Sequence, residues 1–110
     1  MTAYSVFLAD CPARSALALV SDTWSVVVVV GLAHGPRRYT ELLEQAGGIS
    51  KKMLTQTLRK LAAAGLVAAP EVRGGGYDLT RLGRSLLDPL TALTEWAEQH
   101  ADELAAAPGT

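Results

Sequence analysis

Between Tyr39 and Leu79 the chain follows one pattern: a short helical stretch, a Gly47-Gly48 break, a longer helical stretch closed by Gly65, and two short apolar runs on either side of Gly74-Gly75-Gly76. Paired glycines are poor helix interiors, so the break separates two helices. The first opens at Tyr39-Thr40, with Thr40 as its cap and Leu42 and Leu43 facing inward, and runs to about Ala46. The second begins after Ile49-Ser50, where Ser50 can accept from the first free N–H groups and Ile49 can pack on Leu54. Leu54, Leu58 and Leu61 recur at helical spacing, which leaves Lys52, Gln56 and Arg59 on the opposite face, flanked by Thr55 and Lys60. Leu66 to Ala69 and Tyr77 to Leu79 then read as two short strands joined by a flexible glycine tip, since glycine accepts the positive φ such turns need.

The flanks read as helices. Pro12 suits the first position of a helix through about Val20, which leaves Cys11 at its cap. Ser21 and Asp22 break the chain and cap a helix from Thr23 that carries Trp24. The valines from Val26 to Val30 favour a strand by propensity; a helix, ended by Gly35-Pro36, is expected because burial overrides propensity and the surroundings are helical. Thr80 caps a last helix, Arg81 to about Ala106, carrying Leu82, Leu86, Leu90, Leu93, Trp96 and Ala97 and bent at Pro89. Helix, helix, short turn, helix, hairpin, helix is the order of a winged helix-turn-helix: mainly α with a small β-hairpin wing, one domain over residues 1–110. The terminal helices, 12–20 and 81–106, are expected to dimerise, because a chain that is 49% apolar at this length has more apolar surface than one small core hides.

A net charge of −1 argues against a nucleic-acid partner until its distribution is seen. From Arg37 to Arg84 nine bases face only Glu41, Glu44, Glu71 and Asp78, a net +5, whereas Ser85 to Thr110 holds five acids and no base. One segment can meet phosphate while the tail points away from it. The apolar run Val26 to Ala33 is far shorter than the roughly 20 residues a membrane-spanning helix needs, and Met1 to Asp10 lacks the basic start of a secretory signal, so a cytoplasmic protein without membrane contact is expected.

Individual residues carry a resemblance to the HxlR family of bacterial regulators, a branch of the MarR-like winged-helix proteins. Cys11-Pro12, Trp24-Ser25, Gly35-Pro36-Arg37-Arg38-Tyr39 with Glu41-Leu42, and Ile49-Ser50 with Met53-Leu54-Thr55-Gln56 resemble that family's pattern in order and spacing. So do Leu58, Leu61, Gly65-Leu66-Val67, Tyr77, Leu79-Thr80 and Gly83. The hairpin is shorter than is usual there and ends in glycines, and Thr23 stands where a lysine is common. The resemblance implies a homodimeric, sequence-specific DNA-binding regulator, a repressor among other possibilities, acting on a palindromic operator of double-stranded DNA and answering to a small effector.

Ser50, Lys51, Lys52, Thr55, Gln56 and Arg59 are the candidate DNA contacts. A helix N-terminus and lysines suit phosphate, while Gln56 can pair with adenine and Arg59 with guanine in the major groove. Arg37 and Arg38 are candidates for the DNA backbone, and Arg73 is the wing's single base. The bland alternative is a solvated basic face. Trp24 is either a core residue or the lining of an effector pocket. Cys11, the only cysteine, is either a small buried hydrophobe or a sensor of oxidants and electrophiles, since a thiol at a helix N-terminus ionises more readily. No enzyme, cofactor or metal is expected: His34 and His100 stand outside any metal-binding spacing, and Gly74 to Gly76 lacks the lysine of a phosphate loop. The rival function is a winged-helix domain that binds a metabolite or protein partner without DNA.

Overall fold

A computed structural model describes residues 12–106. Its elements are α1 (Pro12–Val20), α2 (Thr23–Gly31), β1 (Arg37–Arg38), α3 (Tyr39–Gln45), α4 (Lys51–Ala63), β2 (Val67–Ala68), β3 (Gly76–Leu79), α5 (Arg81–Ser85), α6 (Leu87–Gln99) and α7 (Ala101–Ala106). This is the expected winged helix-turn-helix, mainly helical with one small sheet.

The five valines are helical. Val28 and Val29 are buried, as is Leu32 just beyond the helix, while Val26 and Val27 are half-buried. Helix propensity costs a valine at most about 0.7 kcal/mol against alanine, and full burial of its side chain returns roughly 1.5–3 kcal/mol, so burial wins. Asp22 caps α2, accepting from Trp24 N at 3.2 Å, and also pairs with Lys60 at the far end of α4. That hydrogen-bonded ammonium holds the Asp22 carboxyl below its ordinary value of 3.8, although partial burial pulls the other way. A carboxyl lowered by folding contributes stability above its unfolded value, and the contribution is lost as pH falls through the folded one. Lys60→Met should therefore cost at most about 1 kcal/mol near neutral pH, since the lysine is half exposed, and nothing once Asp22 is protonated. Asp22→Ala should cost about 1 kcal/mol more because the cap is lost as well. Urea unfolding of both variants at pH 7 and pH 3 checks this, and equal losses at the two values would contradict it.

Three elements differ from expectation. Helix α3 begins at Tyr39 and not behind a Thr40 cap: Arg38, extended at φ −74° and ψ 159°, occupies the cap position and its N–H donates to Glu41 Oε1 at 2.8 Å. Arg37-Arg38 is itself a strand, so the wing is a three-stranded antiparallel sheet in the order β1-β3-β2, with Arg37 opposite Tyr77 and Val67 opposite Leu79. The last helix is three helices, interrupted at Leu86 and His100. Pro89 is not the bend, because it lies in the first turn of α6, where a missing N–H goes unneeded.

The turn between α3 and α4 closes with Ile49 N donating to Ala46 O at 3.1 Å, and Gly48 holds φ +94° at its third position, the left-handed value a type II turn requires. At the wing tip only Gly74, of the three glycines, uses positive φ. The core joins α2 to Leu42, Leu54, Leu58, Leu61, Leu66, Val67, Leu79 and Leu90. Of the apolar residues carried by the expected last helix, Leu90 is buried within the chain and Leu86 half-buried, while Leu93 and Trp96 stay about half exposed. Leu82, placed on the same stripe from the sequence, is exposed too. Among the described residues no single helix is long and apolar enough to cross a membrane.

Candidate nucleic-acid interface

Helix α4 is held along one side and open along the other. Leu54, Thr57, Leu58 and Leu61 are buried, and Lys51, Lys52, Gln56 and Arg59 are exposed. Its thirteen residues span roughly 20 Å, a rod that fits the major groove of B-form DNA. Ser50 accepts from Met53 N at 3.0 Å, so its side chain is committed to the cap, and the remaining first-turn N–H groups are left for an acceptor from outside. At the other end Leu66 N donates to Leu61 O and Gly65 N to Ala62 O, both at 3.0 Å, which closes the helix and turns the chain into β2.

The candidate residues fall into distinct settings. Lys52, Gln56 and Arg59 lie on one exposed face. Arg38 is exposed at the junction of β1 and α3, and Arg37 is half-buried in β1 beside Tyr77. Arg73 is exposed in the wing turn that Gly75 N closes on Val72 O at 3.1 Å. Thr55 is half-buried and engaged: Tyr39 Oη lies 3.0 Å from its Oγ1 and donates to Lys51 O at 2.9 Å. Among the described residues the salt bridges are Lys60–Asp22 and Arg84–Asp78, so none of the candidate bases is spent on one. Exposed cations outside these ion pairs, with the acids of α6 and α7 in another part of the chain, suit a polyanion.

Sequence reasoning missed Tyr39 as a bracing residue and the Asp22–Lys60 tie; residues 12 and 38 positions apart give no periodic signal. A cleft of about 220 Å³ separates α4 from the sheet, lined by Tyr39, Leu58, Arg59, Ala62 and Tyr77 among others. The larger groove, about 470 Å³, lies over α2, lined by Val26, Val27, Val30, His34, Leu42 and Gln45 among others. Trp24 is not among its lining residues and packs half-buried against the core. Cys11 lies outside the described residues. Among the described residues no cluster of three His, Cys, Asp or Glu side chains could hold a metal.

The pattern of the HxlR-like helix-turn-helix family matches residues 19–105, from the end of α1 through α7. The chain belongs to that family. A relative of this HxlR-like protein is the HTH-type transcriptional regulator YtfH of Escherichia coli (strain K12), 34% identical over 109 residues, covering 93% of this chain and 84% of the relative. Among solved structures, the redox regulator HypR in its reduced form superimposes with a TM-score of 0.78 at 28% identity, covering 87% of this chain and 99% of HypR. Quinone-bound YodB from B. subtilis does so with a TM-score of 0.73 at 32% identity, covering 81% of this chain and 99% of YodB. HxlR-like proteins are transcriptional regulators, and their helix-turn-helix is a DNA-binding unit.

Proposed function

We propose that this HxlR-like chain is a sequence-specific DNA-binding regulator of the cytoplasm, working without catalysis as a homodimer on a palindromic operator. The single observation that carries this is the exposed face of α4, where Lys52, Gln56 and Arg59 stand free of ion pairs opposite a buried leucine stripe. Lys51, Lys52, Arg37, Arg38 and the first turn behind Ser50 serve the phosphates. Gln56 and Arg59 serve base edges, and Arg73 extends the contact through the wing. Two copies related by a two-fold axis meet half-sites about one helical turn, roughly 34 Å, apart.

The test separates positioning from specificity. A duplex selected by the protein from a random-sequence pool is compared with poly(dI-dC) in gel shift across a salt series. Lys52→Ala should weaken both DNAs alike and flatten the log–log salt slope by about 1, whereas Arg59→Ala should cost roughly 1–3 kcal/mol on the selected duplex and little on the other. Salt-independent binding, or no binding to any duplex, overturns the proposal in favour of a domain that takes a metabolite or protein partner alone.

A signal input completes the reading, and two structural neighbours support a redox or electrophile signal: one is a redox regulator and the other is solved with quinone bound. Cys11, the only cysteine, is the candidate sensor. The groove over α2 favours a second route, a small non-covalent effector, because its volume of about 470 Å³ falls in the range of ligand pockets.

A further inference from the structure

The Tyr39 hydroxyl has one proton and two neighbours. Lys51 O can only accept, so Tyr39 Oη must donate to it at 2.9 Å, and the Thr55 Oγ1 proton must then point at Tyr39 Oη across 3.0 Å. Thr55 therefore has no proton left for a phosphate oxygen while the bond stands. The two bonds tie the first residue of α3 to the first and fifth residues of α4, across the Gly47-Gly48 turn. They sit on the stretch of α4 that carries Lys51, Lys52 and Gln56.

We propose that Tyr39 is a positioning residue for DNA recognition: through Lys51 O and Thr55 Oγ1 it fixes how the first turns of α4 stand on α3, and Thr55 is an anchor within the protein and not a contact to DNA. The inference rests on the DNA-binding function proposed above. Leu54 and Leu58 hold α4 from beneath, but apolar contacts tolerate a small rotation of the helix about its axis, whereas hydrogen bonds demand direction. Rotation matters at this site, because bidentate pairing of Gln56 or Arg59 with a base edge depends on angle more than general attraction to phosphate does.

The test uses Tyr39→Phe, which keeps the ring and removes the hydroxyl, with Thr55→Val, Thr55→Ser and the double variant Tyr39→Phe/Thr55→Val. On the selected duplex Thr55→Val, which removes one of the two bonds, should lose roughly fivefold in affinity, and Tyr39→Phe, which removes both, should lose more, roughly tenfold or above. The double variant should lose little more than Tyr39→Phe alone, since that change already removes both bonds, and Thr55→Ser should bind as the parent does. Affinity for poly(dI-dC) should change little, so the specificity ratio falls. A merely structural hydroxyl would lower the melting temperature and leave that ratio where it was. Losses that add in the double variant, or an unchanged ratio, overturn the proposal. Amide exchange without DNA gives an independent reading: Tyr39→Phe should speed exchange at Leu54 and Thr55 by a similar factor and spare Leu61, and unchanged exchange overturns the brace. If the parent protein binds no duplex at all, the DNA-binding function fails, and exchange still decides whether Tyr39 fixes α4.

Discussion

Replacing Gly83 by alanine is expected to destabilise the protein by about 3 kcal/mol or more, although alanine is the better helix former. In the interior of an unconstrained helix the exchange would gain roughly 0.5–1 kcal/mol. Here a Cβ would overlap Leu66 O and lie 3.1 Å from Leu66 C and 3.2 Å from Leu79 Cδ2. The obstruction is main chain, and it is pinned. Leu66 O accepts from Thr80 N at 3.0 Å, Thr80 Oγ1 donates to Gly65 O at 2.6 Å, and Thr80 Oγ1 in turn accepts from Gly83 N at 3.0 Å. Helix α5 thus rests directly on the chain between α4 and β2, and only a residue without a side chain permits the approach. Gly47→Ala is the control, since a Cβ there meets nothing within 4 Å and should shift stability by no more than about 0.5 kcal/mol. Urea unfolding midpoints compare the two, and a Gly83→Ala protein as stable as its parent would show that α5 can lift away without cost.

The second large effect concerns assembly. Leu93 and Trp96 are about half exposed on α6, Leu104 is exposed on α7, and Leu17 and Val30 are exposed on α1 and α2. Full burial of a leucine side chain contributes roughly 1.5–3 kcal/mol and about half of that is left to gain at a half-exposed one, so a partner covering several of these residues gains more from them together than from an exposed ion pair. Trp96 is also held in place, stacked on His100 with ring centroids 4.9 Å apart while His100 Nδ1 lies 2.8 Å from Trp96 O. An ordered aromatic loses little freedom on contact, which suits it to anchor an interface. Changing both Leu93 and Trp96 to aspartate should leave a folded monomer at tens of micromolar by light scattering. Affinity for a palindromic duplex should fall more than a hundredfold, because each half-site must then be bound separately. A doubly substituted protein that still dimerises would place the interface elsewhere.

Most of the fold was legible from residue pattern. The Leu54–Leu58–Leu61 stripe, the Ser50 cap and the glycine break fix α4, and α4 is where the candidate site is concentrated. The valine run was legible only through its surroundings, since propensity alone points to a strand. Strand β1 was not legible: two arginines carry no alternation, and their pairing with Gly76 and Tyr77 is long-range. The breaks at Leu86 and His100 leave no mark in the apolar spacing, whereas the visible signal, Pro89, stands in the first turn of α6, where proline is harmless. At the site, side-chain type marked Lys52, Gln56 and Arg59. The engagement of Thr55 by Tyr39 depends on the angle between two helices, which no periodicity records.

Strand β1 leads into α3 with no residue between them, and its partner β3 is the middle strand of the sheet. The wing is therefore not a flap on a hinge. Any bending of it relative to the helix-turn-helix would have to break the pairing of Arg37 with Tyr77 or unwind the start of α3. Sheet and helix-turn-helix are in effect one solid piece, like a jaw whose tooth pattern cannot be altered. In the dimer proposed above, a signal reaching the terminal helices would act on the opening between two such jaws, a change of spacing and not of the surface each jaw presents.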